Sequence, residues 1–233
     1  MKLLTTANTK IKKGEKLGYK SYGVHLAPFN LSGYQVCKDA SAGCAAACLN
    51  TAGMGSFSNV QAARIEKTKL FFHERLAFMH QLVKEVTAAI KSAQKQNQKP
   101  CFRLNLTSDL PWESIKFLGH SIMAHFPNVQ WYDYTATLGR MESFLAGDFP
   151  ANYSLTFSRK ENTPDTVCDA VLKSGGNVAV VFRGSLPQTW RGFPVLNGDD
   201  TDLRFLDPRG CVVGLVEKGR AKKDQTGFVV EPQ

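Results

Sequence analysis

Short apolar runs fit to be strands alternate with helical or polar segments along most of this chain of 233 residues. The strand-like runs fall at 22–29, 102–106, 129–134, 153–159, 177–182 and 211–216. Between them the apolar spacing changes to that of a helix. The longest helical stretch runs from 58 to 96, with Phe71, Phe78, Leu82, Val86 and Ile90 as its apolar stripe and Arg64, Lys67, Lys69 and Arg75 on its polar face. A second helix is expected around Ile115, Leu118, Ile122 and Phe126, and a short one at 139–145. A fourth begins at Thr163-Pro164-Asp165, with threonine as cap and proline in the first turn. Strand–helix alternation of this kind predicts a parallel sheet with outer helices. A complete eight-fold barrel takes about 250 residues. The expectation is therefore an α/β fold: a partial (β/α) barrel of about six parallel strands with outer helices. Residues 1–20 read as a polar, Lys-rich arm or short edge element, and 21–233 as one α/β domain.

The first strand runs straight into a loop holding three of the six cysteines, Cys37, Cys44 and Cys48, spaced C-x6-C-x3-C among alanine, glycine and serine. Small residues let such a loop fold tightly and aim three thiolates at one point. That donor set suits an iron–sulfur cluster or another soft metal centre. Four protein ligands are usual in ferredoxin-type clusters and structural zinc sites, so three leave a position open for chemistry. Ordinary buried cysteines and a disulfide are the rival readings. No histidine pair completes a zinc finger nearby. Residues 61–65, at the start of the long helix, are expected close to the cysteines. Cys101, Cys168 and Cys211 read as structural.

Composition bounds the setting. Hydrophobic residues make up 43% and charged residues 21%, as in ordinary globular proteins. The N-terminus lacks the apolar core of a signal peptide, and no run is long enough to span a membrane. A cytoplasmic location in a host cell follows as an expectation, with no membrane partner. Reduced thiols there favour metal over a disulfide. The net charge is +9, with Lys10, Lys12, Lys13, Lys16 and Lys20 at one end and Lys218, Arg220, Lys222 and Lys223 at the other. Such a surface suits nucleic acid, or is simply a solvated face. Neither a phosphate loop of the G-x-x-x-x-G-K-[ST] type nor a G-x-S-x-G elbow occurs, which argues against nucleotide hydrolysis and serine esterase chemistry.

In a parallel α/β sheet the strand C-termini carry the site. Here those ends are polar: Asn105, Thr107, Ser108 and Asp109, then Asp133 and Tyr134, then Ser158 and Arg159. Together with the cysteine loop they would line one cup. The acidic run at 197–208, with Asp199, Asp200, Asp202 and Asp207, reads as Asx-type turns rather than a cation loop.

The segments 41–53, 60–65, 103–105, 107–113, 132–135, 152–158 and 202–208 resemble the phage "gene product 88" family, which implies a phage or mobile-element origin and names no activity. More distantly, the order strand, three-cysteine loop, helix and second strand ending in Thr107-Ser108-Asp109 is similar to the radical S-adenosylmethionine (SAM) enzymes. That resemblance implies a [4Fe–4S] cluster on Cys37, Cys44 and Cys48, with SAM on the open iron. It also places Ser108 and Asp109 where that superfamily receives the SAM amino group. Among the polar strand ends, Asn105 and Ser158 are further candidates for SAM binding, and Asp133, Tyr134 and Arg159 for catalytic or substrate contacts. The cysteine spacing is wider than that superfamily's usual C-x3-C-x2-C. The alternative is a non-catalytic nucleic-acid-binding protein of phage or plasmid replication or host take-over, with a structural cluster or zinc.

Overall fold

The computed structural model describes residues 1–6 and 12–232. Lys10 of the basic N-terminal group lies outside them. The strands are β1 Leu4–Thr5, β2 Tyr19–Val24, β3 Lys99–Arg103, β4 Lys116–Phe117, β5 His120–Ser121, β6 Gln130–Thr135, β7 Tyr153–Ser158, β8 Asn177–Phe182, β9 Thr189–Trp190, β10 Phe193–Asn197, β11 Val212–Val216 and β12 Val229–Val230. The α-helices are α1 Ala42–Ala46, α2 Ser58–His73, α3 Arg75–Gln94, α4 Ile122–His125, α5 Leu138–Leu145 and α6 Asp165–Lys173.

Ten strands form one sheet in the order β1-β2-β3-β6-β7-β8-β11-β10-β9, with β12 also on β8. Every neighbouring pair from β2 to β10 is parallel. β1 and β9 are antiparallel at the two ends. They do not pair with each other, so the described residues form a mixed α/β fold with a large, mostly parallel sheet and no closed barrel. Seven consecutive parallel strands exceed the expected six. The extra one is β10, whose Pro194 and half-exposed side chains hid it among loop residues.

The strand interiors are buried, as parallel strands between two layers must be. Phe102, Trp131, Phe157, Val178 and Phe182 join Phe78, Leu82, Val86, Met141 and Leu172 of the helices in the main core. On the other face the turn at Arg204–Leu206 packs across β6 and β7. There Cys101, Tyr132 and Leu203 form a second small core. The four carboxylates of the acidic run point to separate partners: Asp199 to Lys218, Asp200 to Asn197, Asp202 to Arg103 and Asp207 to Arg204. Asn197 Oδ1 accepts the N–H of Asp199 at 3.0 Å, the expected Asx turn.

Three local expectations are corrected. The long helix is two, because Glu74 leaves helical geometry at φ −130°, ψ 56°. Arg75 accounts for the break: its Nε donates to Phe71 O at 2.8 Å, and its guanidinium stacks 3.8 Å from the Phe71 ring. That satisfies a carbonyl the helix end leaves open. It also lets Phe71 and Phe78 both reach Trp112, with centroids 5.3 and 6.3 Å away. The helix expected around Ile115 to Phe126 is instead the β4–β5 hairpin followed by the single turn α4. Leu118 and Gly119 both take positive φ, 49° and 85°, as a two-residue hairpin turn requires. Thr163 does not cap α6: its Oγ1 accepts the N–H of Lys160 at 3.0 Å, and Pro164 occupies the cap position.

Candidate functional site

Parallel strands end on one rim, and the cysteine loop lies across it. Each neighbouring strand end holds the loop down. After β3, Asp109 N donates to Val36 O at 2.8 Å. After β6, Thr137 Oγ1 donates to Asp39 Oδ2. After β7, Lys160 Nζ donates to Asp39 O at 2.7 Å. Glu161 makes the tightest fastening: it accepts Ser41 Oγ at 2.5 Å and Gly43 N at 2.7 Å. These bonds outweigh burial and hold the Glu161 carboxyl below its ordinary pKa. A side chain at Gly43 would disturb this fastening, since a Cβ there would sit 2.4 Å from Thr226 Oγ1 and 2.7 Å from Glu161 Oε2. Ser41 Oγ in turn accepts the N–H of Cys44 at 3.2 Å, which sets Cys44 in the first turn of α1.

Cys37, Cys44 and Cys48 are part-buried free thiols at this rim. Burial pushes Cys44 up to about 12, and the neighbouring Cys48 and Cys37 add to the shift. Cys37 rises to about 11 through burial, with Asp109 and Cys48 adding to the effect. Cys48 is also raised by burial, against the pull of Arg64. All three thiols belong to the segment that spans this rim. Cys101, Cys168 and Cys211 are fully buried free thiols. Among the described residues no group of three His, Cys, Asp or Glu side chains is placed to hold a metal ion.

The floor beneath the loop is cationic. Arg64, Thr68 and Phe71 form the buried stripe of α2. Arg64 donates to Asn50 Oδ1, and Thr68 Oγ1 takes the N–H of Ala27 at 2.9 Å. His25 is driven down to about 3 by burial, then by Arg64, Arg103 and Lys67. It stays neutral beside Thr107 Oγ1, 3.3 Å away.

The other sequence-predicted residues fall into two groups. Asn105, Ser108 and Asp109 build the wall after β3. Asn105 Oδ1 accepts from Ser108 Oγ, Leu110 N and Trp112 Nε1 at 2.8–3.1 Å. Asp109 accepts from Ala136 N at 2.8 Å and Arg140 at 2.5 Å. Cys37 Sγ reaches Thr107 O of this wall at 3.9 Å. Ser158 ends β7, and Arg159 beyond it donates to Gly227 O at 2.7 Å. Asp133 and Tyr134 are not brought together, because neighbours on a strand face opposite ways. Asp133 accepts from Asn105 N at 2.8 Å and Tyr153 Oη at 3.0 Å. Tyr134 lies on the other face under the Arg103 guanidinium, 4.4 Å from its ring centre.

Sequence reasoning missed Glu161 and Arg140. Glu161 is 120 residues from Ser41 in the chain, and nothing local marks that pairing. Arg64 falls in the stretch 61–65 expected near the cysteines, but it was read as a cation on a polar face and is instead buried. The signal was that α2 has no continuous apolar stripe, so its buried face had to be partly polar.

Two surface hollows of about 510 and 500 Å³ lie away from this rim. The first, at Tyr19, Lys99, Gln130 and Asn152, is at the strand N-termini; the second follows α3 at His80, Lys84 and Glu85. Neither contains a cysteine, and the perturbed thiols stay at the strand C-termini.

The family model described as "Gene product 88" matches residues 2–232. The chain belongs to the gene product 88 family. That membership agrees with a phage origin. No curated protein and no solved structure matches it, and the radical SAM enzymes enter through none of these comparisons. Among the described residues of this gene product 88 chain, no helix is long and apolar enough to cross a membrane.

Proposed function

We propose that this gene product 88 protein is an iron–sulfur protein of radical-SAM-like type. In this reading Cys37, Cys44 and Cys48 hold a [4Fe–4S] cluster with one iron left for SAM. The observation that carries the reading is the set of three part-buried thiols on one loop that the chain after β3, β6 and β7 fastens across the C-terminal rim of the parallel sheet. Three thiolates without a fourth protein ligand suit a cluster that keeps one iron open rather than a four-ligand structural zinc site. The thiols are protonated without metal, so loading must release protons. Held by Cys37, Cys44 and Cys48, a reduced cluster of this kind would supply one-electron reduction to SAM.

The chain's own residues would do the rest. Arg64 places a buried cation beside Cys48, opposite the negative charge of thiolates. Glu161 and Asp39 keep the loop on the rim. Ser108, Asp109, Ser158 and Arg159 would edge the space that SAM occupies, while Asp133 and Asn105 hold that wall from behind. We also read the sheet as a partial barrel. From β2 through β3, β6, β7 and β8 to β11 the strands follow chain order, the winding that right-handed crossovers give when they stay on one face.

The test is a SAM cleavage assay. Reduced, iron-loaded protein is expected to form 5′-deoxyadenosine, and Cys44→Ala to form none. Absence of cleavage by a protein that carries its cluster would contradict the radical-SAM-like reading and leave a non-catalytic cluster protein.

A further inference from the structure

The loop that carries the cysteines continues into an exposed apolar surface. Leu49, Met54 and Phe57 are 57%, 65% and 57% exposed. They follow Cys48 within nine residues, on two tight turns, Leu49–Thr51 and Gly53–Ser56. Three large apolar side chains held in water beside a candidate site need a reason.

The C-terminal basic run lies against this same segment. The turn Gly219–Lys223 packs on Leu49–Thr51. A Cβ at Gly219 would sit 2.9 Å from the Ala52 Cβ, so the two backbones approach closely. Arg183 anchors the basic turn, donating to Lys222 O at 3.3 Å and Asp224 O at 2.8 Å. Lys218 is bound by Asp199, whereas Arg220, Lys222 and Lys223 are exposed. The surface thus offers a flat ring and apolar side chains next to a fixed row of cations, on a chain of net charge +9.

We infer that this surface binds single-stranded nucleic acid, which the strand would present to the cysteine rim. A single strand meets both halves of the surface at once: its bases stack on exposed aromatic and apolar groups, and its phosphates lie along the cations. A duplex hides the faces of its bases and would leave Phe57, Met54 and Leu49 in water. Making nucleic acid the substrate rests on the cluster reading; the binding does not.

The experiment is fluorescence anisotropy of a labelled thymidine oligonucleotide, with the full chain at 50 and 200 mM salt. The affinity is expected to fall steeply between the two salts. Phe57→Ala is expected to weaken binding about tenfold through weaker base stacking. Lys222→Ser with Lys223→Ser is expected to flatten the salt dependence by about 0.7 log units per decade for each phosphate that a lysine no longer neutralises. These side chains are exposed, and circular dichroism melts of the variants should overlay the parent. Cys44→Ala should keep the binding while losing iron. The inference is overturned by no binding at 50 mM salt, by binding that neither variant alters, or by sedimentation with anionic phosphatidylserine vesicles in place of oligonucleotide binding. Iron loading without oligonucleotide binding would overturn this inference alone; binding without iron would overturn the cluster reading alone.

Discussion

Asp133→Asn is expected to remove a large fall in stability between about pH 4 and pH 7. Burial raises the Asp133 carboxyl from 3.8 to about 7, against the opposing pull of Arg103. Between those values the folded chain keeps a proton that the unfolded chain has released. Stability from this group is therefore complete below pH 3.8 and lost as pH rises through about 7. At about 1.4 kcal/mol per unit, the loss is of the order of 4 kcal/mol. Asparagine imitates the protonated acid: Oδ1 accepts Asn105 N–H, and Nδ2 faces the Tyr153 hydroxyl. Urea unfolding of both proteins from pH 4 to pH 8 checks this. The variant should gain on the parent as pH rises; parallel curves would show that Asp133 is not buried as described.

Arg140→Met is expected to cost about 3–5 kcal/mol, enough to threaten folding of a domain of ordinary stability. Arg140 is the hub of the wall behind the cysteine loop. Its Nε and Nη2 take both oxygens of Glu113 at 2.8 Å, and its Nη1 takes Asp109 at 2.5 Å. Nη2 also donates to Tyr153 Oη at 3.1 Å. The side chain is only 8% exposed, so its loss strands two carboxylates out of water. Combining it with Asp109→Asn and Glu113→Gln should recover part of the loss, because the stranded charges go with it. A variant that melts with the parent would place these carboxylates in water instead.

The parallel strands were the most legible part of the chain. The runs at 129–134, 153–159 and 177–182 fall within one residue of β6, β7 and β8, because a strand covered on both faces reads as a near-continuous apolar run. The short edges β1 and β9 have two residues each and leave no such run. The break at Glu74 was hidden because the apolar spacing carries on across it. A hairpin passed for a helix because Ile115, Leu118 and Ile122 happen to keep helical spacing; the Leu118-Gly119 turn was the only contrary sign. At the site, the cysteine cluster and its polar rim could be read from chain order. What could not be read was which face each side chain takes. A one-residue step sends Asp133 to the helix side and Tyr134 to the opposite face. Nothing in the sequence shows that Arg140, 31 residues away, arrives at Asp109.

The most direct test of the central claim is the ultraviolet–visible spectrum of protein purified without oxygen, with iron and sulfide counted in the same sample. The expected result is a broad brown absorbance bleached by dithionite, with about four irons and four sulfides per chain. It should be absent from Cys37→Ala, Cys44→Ala and Cys48→Ala, and kept in Cys101→Ala. A colourless protein that carries zinc or no metal after anaerobic reconstitution with iron and sulfide would contradict it.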